Sequence, residues 1–122
     1  MKFRFKKENK DVEKRRKLCE KLRAEYPDKI PVICEKDPYY WNLKEIQKTR
    51  YLIPNDWKLF NFRYLLRQAF EIDEYQSFFL LANGKTSLYG DDNFKDIYEK
   101  YKDKKDGFLY IAYALELFWG NN

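Results

Sequence analysis

The clearest periodicity lies at the centre of the chain. In NDWKLFNFRYLLRQAF, Phe62, Leu65, Leu66, Ala69 and Phe70 recur at i, i+3, i+4, i+7 and i+8. That pattern predicts a helix with those residues on its core face and Asn55 or Asp56 as its N-cap. Upstream, DVEKRRKLCEKLRAEYP places Val12, Cys19, Leu22 and Tyr26 at helical spacing with Leu18 beside them. Asp11 is the expected N-cap and Pro27 the stop. Residues 4–9 read as a shorter basic helix. KIPVICEK alternates and is β-branched, which predicts a strand; Pro31 cannot donate to a ladder, so an edge position or a bulge is expected. DPYYWNLKEIQKTR is a connection, aromatic at Tyr39, Tyr40 and Trp41, and RYLIP is a second short strand stopped by Pro54. FFLLANGKTSLY predicts a hairpin with a type I′ turn at Asn83 and Gly84, because both accept positive φ. DNFKDIYEKY puts Phe94, Ile97, Tyr98 and Tyr101 on one helical face. GFLYIAYALELF is a long apolar strand, expected at the centre of a sheet.

The order is helix, helix, strand, strand, helix, strand, strand, helix, strand. Without the first two helices it is ββαββαβ, the order of the ubiquitin-like β-grasp. The fold class is therefore α+β, a β-grasp with two additional N-terminal helices. A single domain over residues 1–122 is expected: a helical extension at 1–27, the core at 28–116 and a flexible tail at 117–122.

Composition agrees with one domain: 122 residues, 44% hydrophobic and 20% aromatic, are enough for a sizeable core without staples. No run is long and apolar enough for a membrane span. MKFRFKKENK lacks the apolar stretch of a secretory signal, so a cytoplasmic protein is expected. The two cysteines, Cys19 and Cys34, show no metal-ligand spacing and read as reduced, partly buried thiols. There is no histidine, which removes Ser-His and Cys-His catalysis. ANGKTS lacks the upstream glycine of a phosphate loop. An enzyme is not expected, nor is a metal or cofactor. Net charge is +5, and its distribution is uneven: residues 1–36 carry +6 and residues 37–122 carry −1. That balance suits an acidic partner such as anionic lipid, nucleic acid or an acidic protein segment. EKRRK reads first as a solvated face and second as a binding surface.

MKFRFKKE, EKRRK, EYPDKIPVICEK, YLIPND and FLYIAY together resemble the autophagy ubiquitin-like modifier family, nearest to the GABA-receptor-associated protein (GABARAP) branch. The likeness runs from Met1 to Gly120, with small insertions at 37–50 and after Asn83. It implies a precursor cut by a cysteine protease after a glycine that follows an aromatic residue. Here that glycine is Gly120, flanked by Trp119 and Asn121, and the discarded tail is Asn121 and Asn122. An E1-like and an E2-like enzyme then pass the glycine carboxylate to the head group of phosphatidylethanolamine, which places the protein on autophagosome membranes. Glycine suits the site because it lacks a Cβ and threads narrow enzyme clefts.

The resemblance also implies recruitment of receptors and adaptors through short aromatic-x-x-aliphatic motifs. The ligand adds a strand to a free sheet edge, here RYLIP, and buries two anchors. Matching positions give a first, aromatic-accepting pocket at Leu22, Pro31, Leu52 and Phe108. A second, aliphatic-accepting pocket falls at Tyr51, Ile53, Pro54, Trp57, Phe62 and Leu65. Lys29, Lys48 and Arg50 would meet acidic residues of the ligand. Leu18 stands where relatives commonly carry Glu, which makes the rim of the first pocket more apolar; Trp57 stands where they carry Leu, which reshapes the second pocket, and Ala69 where they carry Arg, which weakens one acid contact near it. The resemblance also implies a docking surface for a helical motif at Phe78, Phe79 and Leu80, residues that core packing of the strand explains at least as well. Two alternatives stand beside this function: an unprocessed, soluble motif-binding module of the same fold, and a basic nucleic-acid binder using residues 2–23, which explains the charge but not the strand motifs or the end, so no nucleic-acid partner is expected.

Overall fold

The apolar run near the end of the chain forms the middle strand of a mixed sheet. The elements are α1 (Arg4–Glu8), α2 (Val12–Glu25), β1 (Lys29–Lys36), β2 (Arg50–Pro54), α3 (Leu59–Phe70), β3 (Phe78–Ala82), β4 (Thr86–Leu88), α4 (Phe94–Tyr101) and β5 (Leu109–Leu115). This computed structural model describes residues 1–38, 45–70 and 77–115. The sheet order is β2-β1-β5-β3-β4. β1 and β5 are parallel, and the other neighbours are antiparallel. This is the ubiquitin-like β-grasp, with α1 and α2 as the N-terminal addition.

The alternation of side chains across the sheet divides the core in two. Val32, Cys34, Leu109, Ile111 and Tyr113 face α3 and α4, where they pack with Leu59, Phe62, Leu66 and Phe94. Ile33, Phe108, Tyr110 and Ala112 face the other way and pack with Phe3, Phe5 and Cys19. The N-terminal helices thus cover the face that a bare β-grasp leaves to water. A strand covered on both faces reads as a continuous apolar run, and β5 does so for this reason.

Several local expectations are corrected by the packing. Pro31 lies in an internal strand without a bulge: β1 pairs with β2 from Lys29 to Ile33 in continuous register. The Cys34 N–H donates to Thr49 on the β2 side, so alternate positions, Pro31 among them, aim the backbone nitrogen toward β5. Pairing with β5 begins only at Val32, so the missing N–H of Pro31 falls before that ladder starts.

In α2, Asp11 caps as expected, accepting from the Glu13 N–H at 2.9 Å and the Lys14 N–H at 3.3 Å. Its inward residues are Arg15, Cys19 and half-buried Leu22, while Val12, Leu18 and Tyr26 are exposed. EKRRK is therefore not wholly a solvated face. α3 begins at Leu59, so neither Asn55 nor Asp56 caps it. Its first amides are instead taken by the loop before α4: the Leu59 N–H donates to the Asp92 carbonyl at 2.9 Å and the Phe60 N–H to Asp91 Oδ1 at 3.1 Å. Leu59, Phe62, Leu66 and Phe70 are buried, Leu65 is half-buried and Ala69 is exposed, so Ala69 leaves the expected core face. Asn83 and Gly84 have φ of 56° and 71°, the positive values expected of a type I′ turn. Three residues, 83–85, join the paired Ala82 and Thr86. Cys19 and Cys34 are free and fully buried rather than partly so.

Candidate functional site

β2 ends the strand order, so one of its edges has no partner strand among the described residues. The Cys34 N–H bond to the Thr49 carbonyl, 2.8 Å, sets the phase of the β1–β2 ladder. In an antiparallel pair, opposed residues alternate between exchanging hydrogen bonds and not. Tyr51 and Ile53 therefore turn their backbone groups toward β1, and Arg50 and Leu52 turn theirs outward. Such an edge is a template for another strand.

The side chains of β2 alternate with the same period. Leu52 points to the α2 side and borders a cavity of about 380 Å³. Leu22 of α2, Pro31 of β1 and Phe108 just before β5 border it too, which brings all four residues expected for the first pocket around one space. Leu18 adds to its rim, with 36% exposure. Phe5 of α1 also lines it, a contribution the residue pattern did not suggest. Its ring meets Phe108 at 5.2 Å, and the Arg50 guanidinium lies 4.9 Å above it. The signal for Phe5 was its spacing: Phe3 and Phe5 are the apolar members of an otherwise basic segment, and both are buried. Lys48 and Arg50, both exposed, stand at the cavity mouth. Lys48 sits 5.0 Å over the Tyr51 ring and accepts the Tyr51 hydroxyl on its carbonyl at 2.8 Å. Lys29 is at the far end of the strand pair, opposite Pro54.

Tyr51 and Ile53 point to the α3 side and are buried with Phe62, whose ring meets Tyr51 edge-on at 5.9 Å. Pro54, Trp57 and Leu65 are half-buried around them. Of the six residues expected for the second pocket, three form a buried floor and three reach solvent. Burial raises the pKa of the Tyr51 hydroxyl, so it stays neutral. Burial likewise pushes the Cys19 thiol up to about 11 and raises Cys34. Neither thiol is a nucleophile near neutral pH. A larger space of about 690 Å³ opens beneath α1, but charged groups of both signs line it, among them Arg4, Lys7, Glu35 and Glu45. The 380 Å³ cavity is the one beside Leu52, whose backbone points outward.

Ala69 lies on the exposed side of α3. At the further surface that the resemblance implies, Phe78 and Leu80 are buried in the core and Phe79 is 43% exposed. Gly120, its neighbours Trp119, Asn121 and Asn122, and the aromatic Tyr39, Tyr40 and Trp41 lie outside the described residues. No helix among the described residues is long and apolar enough to cross a membrane.

The architecture and the open β2 edge define a ubiquitin-like protein. Residues 14–120 match the family model described as "Autophagy protein Atg8 ubiquitin like". The chain is 37% identical to Autophagy-related protein 8D of Oryza sativa subsp. japonica, over 98% of this chain and 100% of that protein. It is 33% identical to Microtubule-associated protein 1 light chain 3 gamma of Homo sapiens, over 81% of this chain and 67% of the relative. A crystal structure of Trypanosoma brucei ATG8 superposes with a TM-score of 0.85 at 33% identity, covering 95% of this chain and 97% of that one. The chain belongs to the Atg8 family of ubiquitin-like autophagy proteins. Members with different names match at similar identity, so the family, rather than one branch of it, is what the comparisons establish.

Proposed function

We propose that this protein is a lipid-conjugated ubiquitin-like modifier that recruits partners carrying aromatic-x-x-aliphatic motifs to autophagic membranes. The observation that carries the recruitment is the geometry of β2. In an added strand, successive side chains point to opposite faces, so residues i and i+3 do as well. The Leu52 cavity and the Tyr51, Ile53 and Phe62 floor lie on opposite sides of the strand that would receive it. Anchors three apart therefore meet both, while the outward groups of Arg50 and Leu52 pair with the ligand backbone. Lys48 and Arg50 attract acids that precede the aromatic anchor. Titration with a peptide carrying an acidic stretch followed by Trp-x-x-Leu tests this. Binding should weaken at least about tenfold in Leu52→Ala, as loss of an interface anchor does; unchanged affinity would refute the groove.

The conjugation is proposed at Gly120, where the family match ends. A protease would remove Asn121 and Asn122, and E1-like and E2-like enzymes would transfer the new carboxylate to phosphatidylethanolamine. A two-chain lipid anchors stably where a single chain does not, so one amide bond moves a soluble, cytoplasmic protein onto the membrane. Incubation with cell extract should lower the intact mass by two asparagine residues, and Gly120→Ala should block the loss. An unchanged mass with intact peptide binding would leave an unprocessed motif-binding module.

A further inference from the structure

The chain itself contains five aromatic residues followed at i+3 by Leu, Ile or Val: Tyr40, Phe62, Phe78, Phe94 and Phe108. Four are committed to the fold, since Phe62, Phe78, Phe94 and Phe108 are between 0% and 5% exposed. The fifth, Tyr40-Trp41-Asn42-Leu43, falls in the β1–β2 connection, with Asp37 three residues before the aromatic. It lies outside the described residues, whereas its flanks, up to Pro38 and from Glu45, lie within them. We propose that residues 40–43 of one copy of this chain are a ligand for the β2 groove of a second copy. This rests on the motif-binding function proposed for that groove.

The partner must be a second copy because the chain cannot reach its own groove. With the aromatic anchor beside Leu52 and the aliphatic one beside Ile53 and Trp57, the added strand runs parallel to β2. Leu43 would then sit near Pro54, which is opposite Lys29. Glu45, two residues later, is ion-paired with Lys36 at 3.6 Å and with Arg4 at 3.4 Å. Lys29 and Lys36 are the two ends of β1, roughly 23 Å apart at about 3.3 Å per residue. Two residues of chain span at most about 7 Å. Even with the reach of both side chains the gap stays open in cis. In trans no such tether applies, and the acid-then-aromatic order of Asp37 and Tyr40 suits the cationic mouth formed by Lys48 and Arg50.

The test is a titration of the full chain with a peptide of residues 36–47, KDPYYWNLKEIQ, alongside the acidic Trp-x-x-Leu peptide. The expected result is saturable binding of KDPYYWNLKEIQ that the Trp-x-x-Leu peptide displaces. Tyr40→Ala or Leu43→Ala in the peptide should weaken it roughly tenfold or more. In the full chain, the same two substitutions should abolish the concentration-dependent rise in mass measured by sedimentation equilibrium. If the Trp-x-x-Leu peptide binds and KDPYYWNLKEIQ does not, or binds without being displaced, the inference is overturned while the groove's function stands. If neither binds, the groove's function fails and takes this inference with it.

Discussion

Arg15 and Arg16 are adjacent, identical in type and opposite in fate. Arg16 pairs with Glu13 and Glu20 on the surface of α2, where such contacts contribute little. Arg15 is buried against Asp106, Nε to Oδ2 at 2.8 Å, with side-chain exposures of 9% and 0%. The same carboxylate accepts the Tyr110 hydroxyl at 2.6 Å and the Phe108 N–H at 2.9 Å, so Asp106 is fully partnered. Burial opposes the charge on Arg15, but the hydrogen bond it donates to Asp106 and nearby negative charge leave its pKa raised. Arg15→Met would strand a buried carboxylate. A loss of about 3–5 kcal/mol is expected, read as a lower midpoint in urea, with a smaller loss when Asp106→Asn is added. Equal losses in the single and double variants would deny the coupling. No local pattern separates the two arginines; only the partner, 91 residues away, does.

At the scale of elements, α1 has five residues, too few to hold itself together in water. It is held from outside. Glu35 of β1 accepts the Arg4 N–H at 2.7 Å and the Phe5 N–H at 2.9 Å. Lys6 reaches Asp103 at 2.7 Å and lies 4.5 Å over the Tyr110 ring. For Asp103, burial alone would raise the pKa. The Lys6 bond and the amides of Asp106 and Lys105 outweigh it, so the value is lowered. A carboxylate with a depressed folded pKa contributes its stability in full above its unfolded value, about 3.9, and loses it as pH falls through the folded one. Wild type should therefore melt above Asp103→Asn at neutral pH, and the gap should close on acidification below about pH 4. A gap that persists at low pH would refute the assignment. The period of α3 was legible, but Ala69 was not separable from Leu66, because a small apolar residue fits either face. Pro31 looked wrong for an internal strand because its position before the start of the β5 ladder depends on where a segment nearly eighty residues later begins to pair.

For the molecule as a whole, the N-terminal helices and the β-grasp are one packing problem. Phe5 and Leu22 close the cavity beside Leu52 while covering the second face of the sheet. The groove on the outer strand is thus completed by the extension that carries the excess of basic charge. Local chemistry in the chain was sufficient for the identity and order of the elements, the hairpin at Asn83 and Gly84, the central place of β5 and the family. Those depend on periods, turn residues and linked motifs that act over a few residues. The burial of Arg15, the docking of α1 by Glu35 and Asp103, the start of α3 at Leu59 and the outward phase of Arg50 and Leu52 were decided only by tertiary structure. Each requires that groups distant along the chain meet at a hydrogen-bond distance, and nothing in the short-range pattern specifies which groups those are.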